Sequence, residues 1–193
     1  MVIKVNDKVF DILKLFTEGF DRELYVREIA VKAKVSSRTA HLVLRDLEKT
    51  GVLSSKVRGK IKLYSLIEGR VATEYLLLTE RHKKIQTLQK KVVLAEILDK
   101  VSVISTGPLI LFGSYAKGLE KKNSDIDLLV LGSYDRKKLR GIKRESNIEI
   151  NIKSYPQEAF SAKFKIDHLL IEVMKAHVFI RGAESVLELI RHE

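Results

Sequence analysis

Two aspartates stand one residue apart in Ser124-Asp125-Ile126-Asp127-Leu128-Leu129-Val130-Leu131, at the head of an apolar run. In an extended chain, residues i and i+2 project from the same face. Asp125 and Asp127 therefore point the same way, while Ile126, Leu128 and Val130 point into a core. Adjacent like charges repel and cost stability unless a cation binds there. Paired carboxylates suit Mg2+, which takes one or two of them and completes its shell with water and phosphate oxygens. Gly113-Ser114 follows the short apolar run Pro108–Phe112 and opens a helical turn. Free N–H groups at such a turn attract phosphate. Ser114 adds a hydroxyl, and the glycine lets a phosphate come close to the backbone. In Asn147-Ile148-Glu149-Ile150-Asn151-Ile152, the isoleucines share one face and Glu149 and Asn151 the other. A strand there, laid beside the aspartate strand, lets Glu149 complete a triad, with Asn151 next along the same face.

These residues need a sheet to hold them. Residues 108–112, 125–131 and 147–152 read as three strands. Between the last two lies a basic stretch, Asp135–Ser146, read as a solvated loop or helix face rather than as a contact for RNA or triphosphate. The remainder, about 157–191, reads as mostly helical. From Arg70 to about Val101 there is no Gly or Pro, and Leu, Ile, Lys and Glu dominate, which predicts one or two long helices. A homodimer through this segment is an expectation.

The first third has another pattern. Residues 7–18 carry Val9, Leu13 and Phe16 at helical spacing, and residues 25–34 carry Val26, Ile29, Ala30 and Ala33 on one stripe. Ser36-Ser37 offers an N-cap. The helix that follows buries Ala40, Val43, Leu44 and Leu47 and stops at Gly51. Two strand-like runs, joined by Arg58-Gly59-Lys60, then make a hairpin. Three helices and a hairpin in this order resemble a winged helix-turn-helix. On the third helix Arg38, His41 and Arg45 share a face, with Ser37 and Thr39 at its N-terminal end, suited to a major groove. Lys56, Arg58 and Lys60 load the hairpin with charge suited to phosphates. DNA is the expected partner; a protein-interaction module is the alternative.

Charge agrees. The chain of 193 residues has a net charge of +11, and residues 1–67 alone carry 14 Lys and Arg against 8 Asp and Glu. A basic face attracts polyanions, nucleic acid first. Cysteine is absent, which excludes disulfides and thiolate metal sites and fits a cytoplasmic location. The five histidines show no ligand spacing. No apolar run is long enough to cross a bilayer, and Met1–Phe10 carries charge where a signal peptide needs an apolar stretch, so no membrane partner is expected.

Gly113-Ser114, ten intervening residues, then Asp125-x-Asp127 resembles the signature of the polymerase-beta-type nucleotidyltransferase superfamily, and in particular the minimal nucleotidyltransferases of bacteria and archaea. The resemblance covers about residues 105–160. It implies a mixed sheet with helices and a two-Mg2+ site built on Asp125, Asp127 and Glu149. It also implies a triphosphate turn at Gly113 and Ser114, with Lys117 in the same turn a candidate phosphate contact. The implied reaction transfers a nucleoside monophosphate from a nucleoside triphosphate, ATP for choice, to a hydroxyl. The acceptor could be a protein, an RNA end or a small molecule. Minimal nucleotidyltransferases often serve as antitoxins, so a toxin protein is an implied partner. The whole chain then reads as α+β: a winged-helix DNA-binding domain at 1–67, a helical linker at 68–103 and a nucleotidyltransferase domain at 104–193, with a mixed sheet flanked by helices. Two alternatives stand beside it. In one, the second domain only senses nucleotide in a transcriptional regulator; in the other, the winged helix holds a nucleic-acid substrate for the transferase.

Overall fold

Helix α1 (Asp7–Thr17) starts where Asn6 caps it, its side chain accepting from the N–H groups of Lys8 and Val9 at 3.1 and 3.3 Å. Its inner face buries Val9, Ile12, Leu13 and Phe16. A two-residue strand β1 (Leu24–Tyr25) leads directly into α2 (Val26–Lys32). Helix α3 (Ser37–Lys49) is capped by Ser36, which accepts from Thr39 N–H at 3.0 Å, and buries Ala40, Leu44 and Leu47. The hairpin β2 (Leu53–Arg58) and β3 (Ile61–Leu66) turns through Gly59-Lys60, with Gly59 at φ +62°. Strand β1 adds to β3, giving an antiparallel sheet in the order β1-β3-β2. Helix–strand–helix–helix–hairpin is the winged-helix arrangement, and its core joins Phe16, Ile29, Leu44, Leu47 and Tyr64. The computed structural model describes residues 6–89 and 91–191.

The chain forms two compact units that divide between Thr79 and Glu80, inside α4 (Arg70–Leu88). The long Gly-free segment thus becomes two helices, α4 and α5 (Val92–Ile104). In the second unit, β4 (Leu109–Phe112) runs into the short helix α6 (Gly113–Lys117), and β5 (Ile126–Leu131) returns antiparallel to β4. The basic stretch is helix α7 (Arg136–Ser146), capped by Asp135. It crosses over to β6 (Ile150–Tyr155), which lies parallel to β5. Helices α8 (Gln157–Lys163) and α9 (His168–Lys175) follow, then β7 (Val178–Arg181) and α10 (Ala183–Arg191). Strand β7 pairs with β4, so the sheet order is β6-β5-β4-β7 and the sheet is mixed.

The fold class is therefore α+β, with β1 and β7 added to the strands read from sequence. Helices α5 and α7 cover one face of the second sheet. Leu94, Ile97, Leu98, Val101, Leu139 and Ile142 pack there on Leu109, Leu111, Ile126, Leu128 and Val130. The opposite face of β5 carries Asp127 and then Leu129 and Leu131, both fully buried. Only the start of that face is open to solvent. Among the described residues no helix is long and apolar enough to cross a membrane.

Candidate nucleotide site

The two aspartates sit where β5 emerges from the sheet. Asp125 directly precedes the strand and is exposed; Asp127 is half-buried. Antiparallel register places Asp127 opposite Phe112, the last residue of β4, so its carboxylate lies over the next residue, Gly113. Gly113 has φ +72°, and a Cβ there would overlap Asp127 Oδ2. Both features demand glycine. Gly113→Ala would strain the backbone by about 1–2 kcal/mol and displace the carboxylate. A lower denaturation midpoint in urea is the expected result. An unchanged midpoint would show that neither feature constrains this position.

Ser114 follows in the first turn of α6 and is partly exposed. Gly118 ends the helix in the left-handed region at φ +66°, and Leu119 N–H returns to Ser114 O at 3.0 Å. At the far end of the loop, Ser124 Oγ accepts from Lys121 N–H at 2.8 Å. Between these anchors Glu120 pairs with Lys91 at 2.5 Å, and that ammonium also lies 5.6 Å from the Tyr115 ring centroid. The Lys91 hydrogen bond holds the Glu120 carboxyl below its usual range against a smaller opposing effect of burial. Lys117 is exposed, and its charge acts on Glu172 of α9.

The third position differs from expectation. Parallel register places Asn151, not Glu149, opposite Asp127. The Asn151 amide donates to Asp125 Oδ2 and to Asp127 Oδ1, each at 3.3 Å. Glu149 lies just outside β6. Its carbonyl accepts from Ile126 N–H at 2.9 Å, while its side chain pairs with Lys143 of α7. Of the expected set, Asp125 and Asp127 lie together, Glu149 is turned to Lys143, and Asn151 stands against both aspartates. Alternation alone puts both 149 and 151 on the face of the aspartates; only the register chooses between them. Among the described residues no group of three or more His, Cys, Asp or Glu side chains could hold a metal.

Two hard carboxylates, bridged by the Asn151 amide, fit one Mg2+ that completes its shell with water and phosphate oxygens.

In the first unit, Ser37, Arg38, His41 and Arg45 are exposed along α3, and Thr39 is half-buried beside its cap. Arg45 leans on Asp46 at 3.4 Å. Glu23 takes up much of the hairpin's charge, pairing with Lys56 and, at 3.5 Å, with Arg58. The hydrogen bond from Lys56 holds the Glu23 carboxyl below its usual range. Lys60 is exposed at the turn.

Residues 90–180 match the family model of the nucleotidyltransferase domain. The glycine turn, both aspartates and Asn151 all lie inside that match, which supports a nucleotidyltransferase-type domain in this part of the chain. No curated protein matches. Among solved structures, the chain is similar to TrmBL2, described as an archaeal chromatin protein with a novel mode of DNA binding. The two are 18% identical with a TM-score of 0.30, over 78% of this chain and 66% of that one.

Proposed function

We propose that the chain is a Mg2+-dependent nucleotidyltransferase joined to a nucleic-acid-binding winged helix. The observation that carries this reading is the packing of Asp127 directly over Gly113 at the head of α6. Carboxylate and phosphate turn lie side by side, as a metal–triphosphate complex requires. Asp125 and Asp127 would hold the ion. When bound, it withdraws negative charge from the α-phosphate and the leaving pyrophosphate. The free N–H groups and the Ser114 hydroxyl of the α6 turn would bind the triphosphate's terminal oxygens and orient the α-phosphorus. Asn151 would hold both carboxylates in position. The proposed DNA contacts are Ser37, Arg38, Thr39, His41 and Arg45 on α3, with Lys56, Arg58 and Lys60 on the hairpin.

The test is transfer of label from α-32P ATP to protein, RNA and small-molecule acceptors, with Mg2+ and with EDTA. Mg2+-dependent labelling of one acceptor is expected; none, across all acceptors and nucleotides, would overturn the enzyme reading. An antitoxin-type role would place the acceptor hydroxyl on a partner toxin.

A second reading is favoured by Asn151. With one charge fewer at the third position, the site would bind Mg2+–nucleotide well and turn it over slowly, serving chiefly as a sensor. Asn151→Asp supplies the missing carboxylate and is expected to raise the transfer rate at least tenfold, about 1.4 kcal/mol of barrier. A fall in rate would mean that Asn151 is itself adapted to the reaction.

A further inference from the structure

We propose that the exposed face of α7 is a sequence-independent nucleic-acid surface that brings the end of a strand to the carboxylate pair, so that the acceptor is a nucleic acid. This rests on the nucleotidyl-transfer reading and names its substrate class. Helix α7 carries Arg136, Lys137, Lys138, Arg140, Lys143 and Arg144. All but Lys143 are exposed, and Lys143 is the one that holds Glu149. The helix's one acid, Glu145, is taken by Lys100 at 2.7 Å. The cap Asp135 is committed to the N–H groups of Lys137 and Lys138 at 2.8 and 3.1 Å. Those bonds hold its carboxyl below the usual range.

The surface has the wrong composition for other partners. Leu139 and Ile142 are buried in the core under the sheet, so α7 has no apolar stripe to insert into a membrane. No aromatic or aliphatic side chain is exposed between Arg136 and Ser146, and protein interfaces need such anchors. What remains is a row of cations about 12 Å long from Arg136 to Arg144 at the helical rise, suited to successive phosphates.

Position completes the argument. The C-terminal end of α7 is tied to the site: Lys143 grips Glu149, and Glu149 O accepts from Ile126 N–H, next to Asp125. A strand that follows α7 to its C-terminal end thus reaches the end of β5 at which Asp125 stands. In the step, a terminal hydroxyl oxygen of the strand bonds to the α-phosphorus of the nucleoside triphosphate. The bond from that phosphorus to the bridging oxygen breaks, pyrophosphate leaves with the electron pair, and the hydroxyl proton passes to water.

The experiment uses the full chain with Arg38→Ala, Arg45→Ala and Arg58→Ala, which lowers the competing charge of the first unit in both proteins compared. Binding of a fluorescein-labelled 20-nucleotide single-stranded RNA is followed by anisotropy from 50 to 300 mM KCl. Adding Lys137→Gln, Arg140→Gln and Arg144→Gln is expected to lower the slope of log K against log salt by about 2, for three phosphate contacts. Lys137→Arg with Lys138→Arg should bind as before. An unchanged slope, or polyglutamate of equal charge bound with the same dependence on α7, would overturn the proposal. Label transfer to the same RNA is measured separately. Transfer that survives loss of the α7 cations strikes this inference alone; α7-dependent binding with no transfer to any acceptor strikes the nucleotidyl-transfer reading, and with it the acceptor role, and leaves only the binding surface.

Discussion

On the proposed reaction, replacing Asp125 and Asp127 together by asparagine is expected to lower nucleotidyl transfer from ATP at least about 10^3-fold, some 4 kcal/mol of transition-state stabilisation. Asparagine keeps the shape of aspartate and removes only the charge, so the fold survives and the loss reads as chemistry. The two positions are not equal. Asp127 sits within β5, over Gly113 and opposite Asn151, whereas Asp125 stands outside the strand and exposed. Asp127→Asn alone should therefore cost more than Asp125→Asn. Initial rates under saturating ATP, with a matched thermal denaturation curve for each variant, measure both. A double variant that keeps its rate would remove the pair from the mechanism.

Glu80→Gln destabilises the second unit by about 3 kcal/mol. Glu80 on α4 is buried, and its carboxylate meets the Lys83 ammonium at 2.9 Å on Oε1 and 2.8 Å on Oε2. His177, just before β7, lies 3.3 Å from Oε1. Its Nδ1 donates to Met174 O at 3.0 Å, because a carbonyl can only accept. Its Nε2 lies 3.1 Å from the Lys83 ammonium. Burial alone would raise the Glu80 pKa, but the charges of Lys83 and His177 outweigh it and hold the carboxyl at about 2. The folded pKa thus lies below the ordinary 4.5. The stabilisation is complete above that ordinary value and is lost as pH falls from 4.5 towards 2. Urea denaturation at neutral pH and through this acid range should show wild type losing stability steeply and Glu80→Gln losing less. Parallel curves would assign the acid loss to other carboxylates.

Sequence patterns made much of the local architecture legible. Alternation marked β5, Ser36 marked the start of α3, and Gly59 marked the hairpin. The parts that were not legible depend on partners far along the chain. Strand β7 is four residues long and follows helix α9 after only Ala176 and His177, so nothing local separates it from the helices around it. Its pairing with β4 is what makes it a strand. Glu80 looks like any acid on a Leu- and Lys-rich helix until His177 arrives against it from almost a hundred residues away. At the candidate site, the glycine turn and both aspartates could be read from spacing. The third position could not, because residues 149 and 151 share a face and the choice is a matter of parallel register.

The asparagine at that register position has an evolutionary consequence. Asparagine and aspartate codons differ by one base, an A-to-G transition at the first position. A carboxylate in place of the amide at this position is therefore a single mutational step away. It requires no insertion, no change of register and no repacking, because Asn151 is exposed and already touches both aspartates. If the proposed site turns over slowly for want of a third carboxylate, selection for faster transfer in a mutagenised population should reach codon 151 early.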